Sequence, residues 1–274
     1  MNRYDCVFFD SGGTLYGVFD PPGVPTPEDV AAGRSGRVAA LLAEYGAAVD
    51  RRELERALER CERECAARLG PAYNYDRLMA AVAAELGLGF GPEVAACLAD
   101  AYAGPRYRAW LFPGTEEMLR TLSAAGLHLG VIANTAWPGH CMDRAFAGVG
   151  LLPYFGTRVY SGDAGLEKPD PAFFRLAARV SGQAGRRILH VGDSLEKDIA
   201  GARGVGWDAA LRLSEAGGSG GLADLEFSDW RQLVEFVIGR PTSRRNSAPG
   251  RPRRKGTAGR RRQSGRRRPA RRRA

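Results

Sequence analysis

The side chains best suited to chemistry in this chain sit where apolar runs stop. In residues 4–15, YDCVFFDSGGTL, the run Cys6-Val7-Phe8-Phe9 ends on Asp10, and Gly12 and Gly13 follow. That pattern predicts a short buried strand delivering a carboxylate to a tight loop at its C-terminal edge, where open α/β sheets carry their ligands. The two glycines let backbone approach a ligand closely, which makes Gly13 a candidate substrate contact. The same segment also reads as a strand closing in an Asx-turn. A second run, residues 127–133 (LHLGVIA), ends on Asn134-Thr135, and a third, residues 187–191 (RILHV), runs into Gly192-Asp193 with Asp198 five residues on. Lys168 stands in EKPDPAFFRLAARV, before a helix start marked by Pro171. A lysine there gains nothing from the helix dipole and by itself reads as an exposed side chain.

Taken in order, these motifs resemble those of the haloacid dehalogenase-like (HAD) hydrolase superfamily. Its first motif, a strand followed by D-x-D-G-T-L, is met by Asp10-Ser11-Gly12-Gly13-Thr14-Leu15, its lysine motif by the K-P-D-P-x-F run from Lys168, and its acidic motif by Gly192-Asp193 and Asp198. The resemblance covers residues 4 to about 238. It implies an α/β fold: a Rossmann-like parallel sheet core (1–15 and 111–239) with an all-helical cap inserted over 16–110. It also implies Mg²⁺-dependent phosphoryl transfer through an aspartyl-phosphate on Asp10. Lys168 would neutralise the nonbridging oxygens and orient the nucleophile. Asp10, Asp193, Asp198 and the Gly12 backbone carbonyl would hold the metal, and Asn134, with Thr135 beside it, would contact the substrate. The physics agrees, because three carboxylates packed together repel one another and a hard divalent cation suits an all-oxygen set.

Two departures bear on activity. Gly12 replaces the second aspartate of the first motif, the family's general acid/base, and losing a positioned proton donor costs roughly 10²–10⁴ in rate. Ala133 precedes Asn134 where the family carries Thr or Ser. A small phosphorylated metabolite with a good leaving group, such as an acyl phosphate, is the expected substrate. A 2-haloacid dehalogenase-type hydrolase also lacks the second aspartate, since halide leaves without a proton. A degenerate domain that only binds its ligand is the third reading. Phosphonate cleavage needs a cap lysine, and residues 16–110 contain none.

The elements that must position these groups follow from periodicity and caps. Helices are expected over 28–45, from Asp50 (N-cap, with Glu53), over 75–86 behind Asn74, over 92–107, over 115–124 capped by Thr115, over 139–149, 171–180 and 198–203, and from Asp229 to 237. Strands are expected over 6–9, 127–133, 157–161 and 187–191, with a weak last one before 213. Glu59, Arg60, Glu62, Arg63 and Glu64 read as a solvated helix face. Tyr16, Phe19, Tyr107, Trp110 and Trp137 are candidate pocket walls or apolar packing between cap and core.

Composition separates a domain from a tail. The net charge is +9, but sixteen of the 40 basic residues fall in 240–274, which has no acid; the remainder, with 24 basic and 31 acidic residues, is net acidic. The Arg-rich tail has no apolar periodicity and is expected to be disordered, with nonspecific attraction to nucleic acid or another polyanion. It has no aromatics for base stacking. Five cysteines without a C-x-x-C pair, no signal-peptide pattern and no long apolar run make a cytoplasmic protein without membrane contact the expectation.

Overall fold

The computed structural model describes residues 2–17, 22–213, 218 and 220–239. Phe19 and the Arg-rich segment 240–274 lie outside them. Six strands form one parallel sheet: β1 (Cys6–Phe9), β2 (His128–Ala133), β3 (Thr157–Tyr160), β4 (Ile188–Gly192), β5 (Asp208–Arg212) and β6 (Leu225–Phe227), in the order β3-β2-β1-β4-β5-β6. Helices cover both faces of such a sheet, so its strands read as continuous apolar runs, and all four residues of β1 are buried. Side chains alternate between the faces. Val7 and Phe9 pack with Met118, Phe146 and Leu233, whereas Cys6 and Phe8 pack with Phe173, Phe174 and Ile199. Phe9 pairs with Val131 on one side and Val191 on the other, so the next residue, Asp10, stands level with Ile132 and Gly192. Strand order reverses between β1 and β4, which opens a crevice at their carboxyl ends.

Between β1 and β2 the chain forms helices α1 (Pro27–Ala32), α2 (Arg34–Glu44), α3 (Arg51–Leu69), α4 (Tyr75–Glu85) and α5 (Pro92–Ala103). The sequence caps are used: Asp50 accepts from the Arg52 and Glu53 amides, and Asn74 accepts from Arg77. These helices bury a cluster of their own, including Val38, Leu54, Leu58, Leu78, Met79 and Leu98, which reaches the core at Cys141. Two expected spans differ. The helix over 28–45 divides at Gly33, and the one from Pro92 stops at Ala103 because Gly104 adopts φ +76°. The segment leaves and rejoins the core at one place. Tyr16 forms an antiparallel bridge with Leu111, the Gly17 amide donates to the Trp110 carbonyl at 3.1 Å, and the Phe112 amide donates to the Leu15 carbonyl at 3.1 Å.

The remaining helices are α6 (Thr115–Ala124), α7 (Gly139–Gly148), α8 (Ser161–Ala164), α9 (Pro171–Val180), α10 (Gly201–Gly204) and α11 (Trp230–Ile238). Thr115 is not the cap of α6: Gly114 holds that position, and the buried Thr115 hydroxyl instead donates to the Leu15 carbonyl at 3.2 Å. The helix expected from Asp198 begins earlier, as a π-helical segment over Leu195–Ala200 capped by Ser194. Strand β6 was not expected, since the Gly/Ser-rich stretch before it reads as loop. Among the described residues no helix is long and apolar enough to cross a membrane.

Candidate active site

The carboxyl ends of β1 and β4 bring together Asp10, Lys168, Asp193 and Asp198. Asp10 continues β1 by one residue, its amide donating to the Val191 carbonyl at 2.8 Å. Lys168, 2% exposed, donates from Nζ to Asp10 Oδ1 at 2.6 Å and to Asp198 Oδ1 at 2.7 Å. The exposed lysine that its own sequence context suggested is thus a buried one. Asp198 also accepts from His190 Nε2 at 2.9 Å and from the Ser194 amide at 3.0 Å. Asp193 is exposed and accepts from the Thr14 hydroxyl at 3.1 Å. Oxygens of Asp10, Asp193 and Asp198 all lie within 4.8 Å of one another.

Glycines make the room for this crowding. A Cβ on Gly13, which holds φ +81°, would collide with the Asp193 carboxylate, and one on Gly192 would collide with Asp198. Gly12 is different. A Cβ there would meet only the Tyr16 ring, at 3.6 Å, an ordinary van der Waals contact.

The electrostatics separate the three acids. Burial raises the Asp10 carboxyl to about 6; Lys168 opposes that shift and Asp198 adds to it. Burial also acts to raise Asp198, but Lys168 and His190 outweigh it and hold Asp198 below the usual carboxylate range. Asp193 is exposed as a residue, but its carboxylate faces Thr14 and the other two acids, and partial loss of water there, then Asp198, push it upward. Burial pulls Lys168 down, yet Asp10 and Asp198 prevail and keep it charged. Burial lowers His190, so it is a neutral imidazole whose Nε2–H faces Asp198. One lysine against three carboxylates leaves the cluster two negative charges in excess. An all-oxygen donor set with that charge fits a hard divalent cation.

Other expected contacts take a different form. Asn134 accepts from the Lys168 amide and donates to the Lys168 carbonyl, both at 2.8 Å, so its side chain clamps the lysine backbone instead of pointing a free amide at substrate. The Thr135 hydroxyl accepts from the Trp137 amide at 3.0 Å and closes a local turn. The Gly13 amide donates to the Tyr16 carbonyl at 2.8 Å and is not free for a ligand. Gly12 pairs with Tyr16 in an isolated bridge. Of the candidate walls, Trp110 is buried and donates to the Pro25 carbonyl, with Tyr107 edge-on to it. Tyr16 and Trp137 instead flank Arg106.

Sequence reasoning missed His190, Ser194 and Arg106. His190 had a signal: it is the one polar side chain inside the buried strand ILHVG, and buried polar groups find partners. Ser194 reaches Asp198 through its backbone amide, and its side chain, a favoured N-cap type, caps the helical segment that carries Asp198.

The model of the haloacid dehalogenase-like hydrolase family matches residues 4–206. Phosphoserine phosphatase of Thermus thermophilus is 34% identical over 150 residues, 53% of this chain, and the match spans only 58% of that enzyme's length. Glyceraldehyde 3-phosphate phosphatase of Methanopyrus kandleri is 27% identical over 239 residues, covering 86% of this chain and 93% of its own. Among solved structures, 2-haloacid dehalogenase from Pseudomonas syringae pv. Tomato DC3000 superposes with a TM-score of 0.55 at 25% identity, over 85% of this chain and 98% of that one.

Proposed function

Because this chain belongs to the haloacid dehalogenase-like hydrolase family, we propose that it is a phosphatase-like hydrolase that moves a phosphoryl group from a small phosphorylated metabolite to Asp10 and then to water. The observation that carries this reading is Lys168 Nζ bound at once to Asp10 and Asp198, with Asp193 alongside. Asp10 Oδ1 is held by the lysine, which leaves Oδ2 to attack phosphorus. The bond from phosphorus to the leaving oxygen breaks, and that oxygen takes its proton from solvent, since Gly12 carries no acid. Water then attacks phosphorus and releases phosphate, restoring the Asp10 carboxylate. Lys168 stabilises charge on the transferring group, and Asn134 keeps Lys168 in place. Asp10, Asp193, Asp198 and the Gly12 carbonyl would hold Mg²⁺, which when bound neutralises the excess charge between nucleophile and phosphate. Without a proton donor, substrates whose leaving groups need little protonation, such as acyl phosphates, are favoured.

Two phosphatases among the relatives support the reading. Dehalogenation is the second reading, favoured by Gly12 and by the likeness to a haloacid dehalogenase. There Asp10 would attack carbon, and the excess charge of the acidic cluster would have no use. Five free thiols fit a reducing, cytoplasmic setting. The segment 240–274 would add nonspecific, salt-sensitive attraction to polyanions.

The test is turnover of acetyl phosphate, p-nitrophenyl phosphate and 2-chloropropionate, with Mg²⁺ and with chelator, beside Asp10→Asn. Mg²⁺-dependent phosphate release that Asp10→Asn abolishes is the expected result. Metal-free chloride release would establish the dehalogenase instead. Folded, Mg²⁺-binding protein without turnover would make it a binding protein.

A further inference from the structure

Two arginines, one in the helical segment and one in the loop that follows it, are left without an acidic partner among the described residues. Among the described residues only three buried side-chain polar atoms lack a hydrogen-bond partner, and two of them are Arg34 Nε and Arg106 Nε. Arg106 sits between two rings, its guanidinium carbon 4.1 Å from the Tyr16 centroid and 4.6 Å from that of Trp137. Arg34 lies 5.0 Å from the Tyr102 centroid and makes one long hydrogen bond, 3.4 Å, to the Tyr75 hydroxyl. Among the described residues neither has a carboxylate within ion-pair distance. Arg34, Glu62 and Arg106 all lie near enough to act on the Tyr75 phenol; Arg34 bonds its hydroxyl, and the Tyr75 amide donates to the Ala136 carbonyl next to Trp137.

Neighbouring arginines are treated differently. Arg37 donates to three carbonyls, of Ala101, Val30 and Tyr102, and Arg144 donates to Asp100 and the Gly104 carbonyl. Glu62, expected on a solvated face, is instead half-buried and accepts from the Tyr73 and Tyr102 hydroxyls at 3.3 and 3.4 Å, so it is spent on phenols. A half-buried guanidinium without an acceptor loses solvation that ring faces only partly return.

The place of the pair is set by the reaction loops. Tyr16 follows the Asp10 loop directly, and its hydroxyl donates to Ser11 Oγ at 3.3 Å, beside the nucleophile. Trp137 closes the turn that begins at Thr135, the residue after Asn134, which clamps Lys168. The rings that sandwich Arg106 therefore hang from the two loops that position Asp10 and Lys168.

We propose that Arg106 and Arg34 receive a carboxylate on the substrate, so that the substrate class is small phosphorylated organic acids. This rests on the phosphatase reading for the identity of the second group. A planar carboxylate accepts two parallel N–H bonds from a guanidinium fork and fits between flat rings. The rings hold the fork in orientation, and among the described residues no acceptor takes its N–H groups.

Calorimetric binding of phosphonoacetate and ethylphosphonate, in Mg²⁺, tests the proposal without turnover. The full-length protein should bind phosphonoacetate about 10- to 100-fold more tightly than ethylphosphonate, as charge-assisted bonds imply. Arg106→Met should bring the two within about 3-fold, Arg34→Met should reduce the ratio less, and Arg106→Lys, which keeps the charge but loses the fork, should fall between. Circular dichroism checks that each variant is folded. Equal binding by the parent, no binding of either compound, or a ratio that survives Arg106→Met would overturn the proposal. Turnover of p-nitrophenyl phosphate reports separately on Asp10: turnover without a carboxylate preference removes the receptor and leaves the reaction, whereas preference without turnover keeps the receptor and removes the reaction.

Discussion

The acidic cluster at the sheet edge and the arginine pair beside it are opposite solutions to holding charge. In the first, each group is fixed by directional bonds: Lys168 to two carboxylates, Asp198 also to His190 and the Ser194 amide, Asp193 to Thr14. In the second, among the described residues, Arg106 is held by ring faces and Arg34 adds a single long bond. Directional bonds fix atoms to within tenths of an ångström, as a chemical step requires. Ring faces hold a plane and tolerate sliding within it, which suits ligands of more than one shape. One region carries surplus negative charge and the other surplus positive charge, so chemistry and recognition can be altered separately.

That separation is exposed by substitutions on the acidic side. Lys168→Met should lower kcat by about 10²–10³ on every phosphorylated substrate, because a buried charge partner is lost for the whole class. A loss confined to carboxylate-bearing substrates would mean that the two regions are not distinct. Gly12→Asp should raise turnover of alkyl phosphates by about 10² and change acetyl phosphate much less, since only the former needs a proton donor. A Cβ at Gly12 would make only ordinary van der Waals contact with Tyr16. Equal effects on both substrates would show that the aspartate is not acting as an acid. Asn134→Ala removes both bonds that clamp Lys168 and should reduce kcat about 10-fold with little change in KM. A KM effect alone would return Asn134 to substrate contact.

The subtlest effect is on stability. Asp10 titrates at about 6 in the folded protein against an ordinary 3.8. Between these values the folded state keeps a proton that the unfolded state releases, so this group's contribution to stability rises as pH falls. In chelator at pH 7.5, Asp10→Asn should therefore be more stable than the parent by about 1–3 kcal/mol, and the gap should close toward pH 5. His190, held below its usual value, has the opposite pH dependence in both proteins, so the difference between them isolates Asp10. Denaturant melts at the two pH values measure it, and a gap that widens at low pH would contradict the assignment.

The acidic side was readable in the sequence because each of its members ends an apolar run or sits in a fixed motif. Asp10, Asp193 and Asp198 follow strands, and burial of both sheet faces makes those strands visible as uninterrupted hydrophobic stretches. What Asn134 does was not readable, since an amide beside a lysine loop can face either the ligand or the backbone. The fork at Arg106 was invisible for a stronger reason. Its partners Tyr16 and Trp137 are 90 and 31 residues away, and a surface arginine and one wedged between rings carry the same letter. The missed strand β6 is three residues long and exposed at its centre, too short for alternation to register. The break at Gly33 and the early stop at Ala103 are helix ends, where glycine competes with the spacing of apolar side chains.

The bridge between Tyr16 and Leu111 closes the five-helix segment into a loop at its base, and bonds from the Tyr75 amide to the Ala136 carbonyl and from Asn74 to the Gly162 carbonyl tie it again beside the strand ends. Because β1 and β2 pair directly and the two ends of the loop are bonded to each other at the bridge, a longer insertion adds only a slowly growing entropy of closure. The segment can therefore change in length while the sheet below keeps its register. The joint at which length can change is carried by the two backbone hydrogen bonds that flank the bridge, Gly17 to Trp110 and Phe112 to Leu15.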